Sequence, residues 1–154
     1  MVSVQSLIHI LLDEADSIDE LVGAVVEQRE LIKRSEYAEG GHAALQSLMK
    51  RVQDIFFRVQ SQESQRARLT EAVAKDLGCE PRLSALSEAV PEAERALFTG
   101  AGERLGHAVF ALKSEMAILG GLVEQNERFS AMLLSEWRRL DAGFMRSGGL
   151  DFRG

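Results

Sequence analysis

The fold follows from a repeat in residues 103–145, which read ERLGHAVFALKSEMAILGGLVEQNERFSAMLLSEWRRLDAGFM. Every seventh position carries a leucine, except one that carries an asparagine: Leu105, Leu112, Leu119, Asn126, Leu133 and Leu140. A seven-residue apolar repeat of this length is typical of long helices that wind around one another. We therefore predict one helix over about residues 103–145, roughly 60 Å long.

Two earlier stretches repeat the pattern, and each ends at glycine. The repeat consists of Leu11, Ile18, Val25 and Ile32 in residues 3–34, and of Leu45, Val52, Val59 and Val73 in residues 43–77. These spacings place apolar side chains on one helix face and predict two further long helices. Gly40 and Gly41 end the first helix, and Gly78 stands where a helix C-cap belongs. Because the polar residues Gln62 and Arg66 interrupt the second repeat, we expect a weak seam there, that is, weak apolar packing between the helices.

The segment between the second and third long helices holds both prolines of the chain. We predict one or two short helices over residues 82–98, divided by Pro91, and a loop over Thr99–Gly102. The predicted fold class is all-α, an elongated antiparallel bundle of three long helices with one or two short connecting helices. Residues 1–145 form the single bundle domain in this prediction, and residues 146–154 form a flexible C-terminal tail.

Charge and composition argue against nucleic acid and membranes as partners of this protein. The 154 residues carry 24 acidic and 18 basic side chains, a net charge of −6, which argues against nucleic acid as the main partner. No apolar run approaches the roughly 20 residues that cross a bilayer, so we expect a cytoplasmic protein without stable membrane insertion. Residues 1–42 have a net charge of −6 and residues 43–77 of +2. Antiparallel neighbours with complementary flanks would show this asymmetry, and so would two solvated helix faces.

Residues capable of catalysis or metal binding are few and scattered. His9, His42 and His107 lie far apart, and Glu39 with His42 forms a single Glu-x-x-His that spans the Gly-Gly break. A di-iron bundle needs two such motifs on facing helices. Cys79 has no histidine or basic cluster near it in the sequence, so we expect an inert thiol. We therefore expect neither an enzyme nor a metal or cofactor site.

Large apolar side chains accumulate after residue 128. On a helix, Leu133, Trp137, Leu140 and Phe144 share one face, which is either ordinary core or a groove for a partner helix. Asn126 occupies a leucine position, where it either sets register and partner choice or faces solvent. The candidate partner-binding residues are Asn126, Phe129, Leu133, Trp137, Leu140 and Phe144. A second copy of the chain could cover the same apolar helix faces, so a homo-oligomer is an open alternative.

Three segments resemble the FlgN family of bacterial flagellar export chaperones. They are LLDEADSIDELVGAVVEQRELIKRSEY, ALQSLMKRVQDIFFRVQSQESQRARLTEAVAKDLG and LVEQNERFSAMLLSEWRRLDAGF. The second ends in the family's R…L…LG pattern, and the third resembles its L…N…L ending, with Asn126 as the asparagine and Leu133 as the later leucine. The matching residues of the second segment are Arg66, Arg68, Leu69, Leu77 and Gly78.

The resemblance implies a chaperone without catalytic activity or cofactor. Such a protein would bind the C-terminal helical segments of the hook–filament junction proteins in the cytoplasm, prevent their aggregation and deliver them to the flagellar type III export apparatus. The family's substrate binding is assigned to the C-terminal helix, the region where the apolar residues accumulate. The alternative is a structural or adaptor coiled coil that acts through self-association.

Overall fold

The computed structural model describes residues 3–35 and 41–125, and it consists of helices joined by short connections. Their bounds are α1 Val4–Ser35, α2 Gly41–Leu77, α3 Leu83–Ala89 and α4 Glu92–Gln125. No strand occurs within these two ranges. The predicted all-α bundle of three long helices is confirmed, and a single short helix, α3, connects α2 to α4.

Helix α1 lies between the other two long helices. It packs along both α2 and α4, and these two pairings make nearly all the close backbone approaches between helices of the described residues. Glu14 and Glu27 of α1 contact Arg66 and Arg51 of α2, so these two helices run antiparallel. Asp19 of α1 contacts Arg104 of α4, and further along both helices Arg29 contacts Glu115. Residue numbers thus increase in the same direction, so α1 and α4 run parallel.

The core consists of the predicted heptad positions. The repeat residues of α1 are at most 3 % exposed, and those of α2 and of the described part of α4 are also buried: Leu11, Ile18, Val25, Ile32, Leu45, Val52, Val59, Val73, Leu105, Leu112 and Leu119. Burying one such side chain stabilises the fold by about 1.5–3 kcal/mol. Since α1 contributes to both interfaces, its buried stripe is wide, and Ala15, Leu21 and Ala24 are fully buried beside it.

Helix α2 ends in a Schellman motif, as the glycine at its end predicts. The Gly78 N–H donates to the Lys75 carbonyl (3.3 Å) and the Cys79 N–H donates to the Ala74 carbonyl (3.0 Å). Gly78 has φ +70°, the left-handed conformation in which a Cβ is costly. These two bonds satisfy carbonyls that the end of α2 would otherwise leave unpaired.

We expect Gly78→Ala to lower the free energy of unfolding by about 1–2 kcal/mol, because alanine in the left-handed region is strained. Chemical denaturation measures the change. Gly23→Ala is the matched control: Gly23 lies inside α1, a Cβ there meets nothing within 4 Å, and the variant should gain up to about 1 kcal/mol. Equal effects of the two substitutions would contradict this explanation.

The predicted loop at Thr99–Gly102 is wrong. Helix α4 begins at Glu92 and continues through these residues without a break, so the third long helix starts eleven residues before the predicted residue 103. Helix α4 keeps its periodicity here because Phe98, Ala101 and Leu105 are all buried on one face. Two helical glycines cost about 2 kcal/mol relative to alanines, which is less than the burial of these three side chains contributes.

Candidate functional site

Ion pairs between α1 and α2 fix how the two helices are aligned. Arg51 Nη1 lies 3.2 Å from Glu27 Oε2, and one heptad further along α2, Arg58 pairs with Glu20. Arg58 Nε also donates to the Ser17 hydroxyl at 3.2 Å. The expected pairing of an acidic first helix with a basic second one is confirmed. Exposed pairs of this kind stabilise by at most about 1 kcal/mol each, so they align the helices more than they stabilise them.

A second set of ion pairs aligns α1 with α4. Arg104 of α4 contacts both Asp16 and Asp19, the latter at 3.1 Å between Nη1 and Oδ2. Further along both helices, Arg29 of α1 pairs with Glu115. Two bonds from one guanidinium to carboxylates on successive turns hold α4 in a single register on α1.

Arg66 is buried, which corrects the expected weak seam at this position. Its Nε donates to Glu14 Oε1 at 2.7 Å, and its Nη2 lies 3.9 Å from Glu63 Oε1. Glu14 is 1 % exposed, and burial raises the pKa of its carboxyl above the ordinary value of 4.5, although the neighbouring Arg66 acts to lower it. The Thr70 hydroxyl donates to the Arg66 carbonyl at 2.7 Å. The seam therefore contains a buried charge cluster in place of an apolar layer.

The end of the described bundle is where the predicted partner-binding segment begins. Ser35, the last residue of α1, lies six residues after Arg29, whereas Gln125 lies ten residues after the paired Glu115. Because parallel helices rise equally per residue, Gln125 lies about 6 Å further along the bundle than Ser35.

The candidate partner-binding residues all lie outside the described residues. They are Asn126, Phe129, Leu133, Trp137, Leu140 and Phe144. The predicted tail at residues 146–154 is also outside that range. Upstream of them, α4 is continuous through Gly120 and Gly121. Nothing packs within 4 Å of a Cβ built at either glycine.

Helix α4 differs from α1 and α2 because it leaves large apolar side chains exposed. Phe110 is 73 % exposed, Leu97 is 67 % exposed and Ile118 is 49 % exposed; on α2 only Phe57 is comparable among the described residues. Leu97 lies on another face of α4 from Phe110, so these side chains are exposed singly along the helix and do not form one continuous apolar patch.

The sequence analysis missed Phe110, although a local signal was present. Residues 108–112 read AVFAL, and five consecutive apolar positions cannot all face one side of a helix. Ala108, Val109 and Leu112 are buried, so Phe110 points outward. A seven-residue repeat identifies the buried positions and does not determine where the residues between them point.

A notch opens between α3 and α4 on the same side as Phe110. This cavity of about 270 Å³ is lined by Leu83, Ser84, Ser87, Phe98, Thr99, Gly102, Glu103, Gly106 and His107. Its depth on the α4 side comes from Gly102 and Gly106, one turn apart, since neither has a side chain to fill it. A Cβ at Gly102 meets nothing within 4 Å, so packing within the described fold does not require glycine there.

A second cavity, of about 320 Å³, lies at the opposite end of the bundle from Gln125. The start of α1, the end of α2 and the start of α4 surround it, with Val4, Val73, Leu77 and Pro91 as its apolar walls. Asp76 and Glu94 contribute carboxylates, and Glu94 Oε2 is buried without a hydrogen-bond partner among the described residues.

The described residues offer little for metal or membrane chemistry. No three His, Cys, Asp or Glu side chains within residues 3–35 and 41–125 cluster as metal ligands would. The Cys79 thiol is free and half-buried beside the end of α2. No helix of the described part has the length and hydropathy needed to span a membrane.

Comparison with known proteins gives one match. A family model described as FlgN protein matches residues 1–146 of this chain. The matched range includes both described parts of the bundle and all six candidate partner-binding residues. No curated protein and no solved structure gives a significant match.

Proposed function

This chain belongs to the FlgN family of flagellar export chaperones, and we propose that its clients are the hook–filament junction proteins. In this proposal it binds their C-terminal helical segments in the cytoplasm, prevents their aggregation and delivers them to the flagellar type III export apparatus. The observation that carries the proposal is the family match, which extends to residue 146 and so includes the apolar C-terminal segment.

The client helix binds to the segment after Gln125 in this proposal. Two features support that position. Helices α1 and α2 bury their apolar repeats against each other and α4, so they have little apolar surface left to offer. The segment after Gln125, in contrast, is rich in large apolar side chains and carries the chain's only tryptophan, Trp137. An amphipathic client helix would place its apolar face on Leu133, Trp137, Leu140 and Phe144.

We expect a few aromatic anchors to supply most of the affinity, as in other protein interfaces. Trp137→Ala should weaken binding of a junction-protein C-terminal fragment by roughly 30-fold or more, corresponding to about 2 kcal/mol. Isothermal titration calorimetry measures the affinity, and circular dichroism should show nearly unchanged helix content.

Phe57→Ala is the matched control, since it removes an exposed aromatic ring from α2, away from the proposed site. It should leave the affinity unchanged. A Trp137→Ala variant that unfolds would identify Trp137 as a core residue and remove it from the client site. A folded variant with full affinity would contradict the proposed site directly.

A further inference from the structure

The α3/α4 notch and the exposed Phe110 ring lie on one face of α4, and the open notch has more volume than an aromatic ring needs. Phe110 follows Gly106 by four residues, so the ring lies one turn beyond the notch on the same side of the helix. A cavity of about 150 Å³ is known to hold a benzene ring, and the notch has about 270 Å³. The Phe110 ring of another molecule therefore fits the notch, whereas its own ring points into solvent at 73 % exposure.

From this fit we infer that the α4 face from Thr99 to Ala117 binds a second copy of this chain, with the two α4 helices antiparallel and Phe110 of each copy in the notch of the other. A two-fold axis repeats the contact between a Phe110 ring and a notch. One exposed ring and one notch per chain therefore suffice for a closed dimer.

The positions along α4 agree with a single two-fold axis. The middle of the notch lies near position 104, halfway between Gly102 and Gly106, and Phe110 lies six residues further on. Antiparallel helices that cross at His107 therefore place each Phe110 opposite the notch of the other copy. Both contacts form at once without any change in the backbone of α4.

The charges on this face agree with the same axis. Glu103 and Lys113 are exposed, and neither pairs with another described residue. In the crossing at His107, Lys113 lies opposite position 101 of the other copy, two residues or about 3 Å along the axis from Glu103. A lysine side chain easily spans that distance. Two Glu103–Lys113 pairs would thus flank the two Phe110 contacts, and the other residues of the face are uncharged or histidine.

The glycines of the notch support an external occupant. A glycine inside a helix costs about 1 kcal/mol relative to alanine, and a Cβ at Gly102 would meet nothing in the described fold. A ring inserted from a second copy supplies a reason for the missing side chain, because a larger residue at Gly102 or Gly106 would occupy the same space.

Sedimentation equilibrium of the full-length chain over a range of concentrations tests the proposal. We expect a monomer–dimer equilibrium that Phe110→Ala weakens roughly tenfold or more. Leu97→Ala is the matched control, because it also removes an exposed apolar side chain of α4 but lies on another face. It should leave the dimer unchanged. Circular dichroism verifies that each variant is folded.

Charge reversal distinguishes the antiparallel arrangement from any other. Glu103→Lys and Lys113→Glu should each weaken self-association, because like charges then face each other across the axis. A mixture of the two variants should form a heterodimer, since every cross-axis pair is then attractive. A mixture that associates no better than either variant alone would overturn the proposal.

One other outcome would also overturn it. A folded wild-type chain that stays monomeric at all concentrations has no such interface. That result does not bear on client binding, which the calorimetric titration measures separately.

Discussion

Arg66→Met should lower the free energy of unfolding at pH 7 by about 3–5 kcal/mol, although methionine is apolar and fills much of the same space. The loss arises from Glu14, which is 1 % exposed and accepts its hydrogen bond from Arg66 Nε. Without the guanidinium, Glu14 must either remain as an unpaired buried charge or take up a proton at neutral pH. Both alternatives cost free energy.

Two further variants isolate this cause. Arg58→Met removes an exposed partner of Glu20 on the same helix and should cost no more than about 1 kcal/mol. The double variant Arg66→Met with Glu14→Leu removes the buried Glu14–Arg66 pair and should recover part of the lost stability, because Glu63, 3.9 Å from Arg66 in the wild type, keeps its charge. If Arg66→Met costs no more than Arg58→Met, the Glu14–Arg66 pair is not buried as described.

The cost of Arg66→Met should also depend on pH. Burial already raises the pKa of Glu14 above 4.5 in the folded protein, and loss of Arg66 raises it further. An acid with a raised folded-state pKa stabilises the fold below its unfolded pKa, and that contribution is lost as pH rises through the folded pKa. The difference between wild type and Arg66→Met should therefore shrink as pH falls from 7 towards 4.5. A difference that does not change with pH would contradict this assignment.

Phe98→Ala should cost about 3–5 kcal/mol, because the ring is 1 % exposed and its removal leaves a large cavity between α3 and α4. The neighbouring Leu97 is 67 % exposed, so Leu97→Ala should change the free energy of unfolding by no more than about 0.5 kcal/mol. Chemical denaturation of both variants measures the difference.

This pair of variants also tests where α4 begins. Phe98 is buried because α4 is already helical there and continues through Thr99–Gly102. If those residues formed a loop, the segment carrying Phe98 would be a separate short element held less firmly. Equal small effects of Phe98→Ala and Leu97→Ala would contradict the continuous helix.

The sequence predicts the long helices and their buried faces well because a seven-residue repeat is a redundant signal. Ile18, Val52 and Leu112 each lie in the middle of such a repeat, and each is buried as expected. Gly78 ends α2 with the predicted left-handed conformation because few residues other than glycine adopt it.

Single residues that act against the local pattern are harder to predict. Gly100 and Gly102 disfavour a helix locally, but burial of Phe98, Ala101 and Leu105 contributes more to stability. Arg66 stands at an apolar heptad position, and its buried partner Glu14 is 52 residues away in the chain. Such a pairing depends on the register of α1 on α2, which the repeat alone does not specify to the residue.

In the proposed function, clients bind to the segment after Gln125. Isothermal titration of C-terminal fragments of the hook–filament junction proteins from the same genome, into the full chain and into a chain ending at Gln125, tests it most directly. We predict micromolar or tighter binding to the full chain and none to the truncated chain, with circular dichroism showing that both are folded. Equal binding by the two chains would contradict the proposed site, and no binding by the folded full chain would contradict the proposed client.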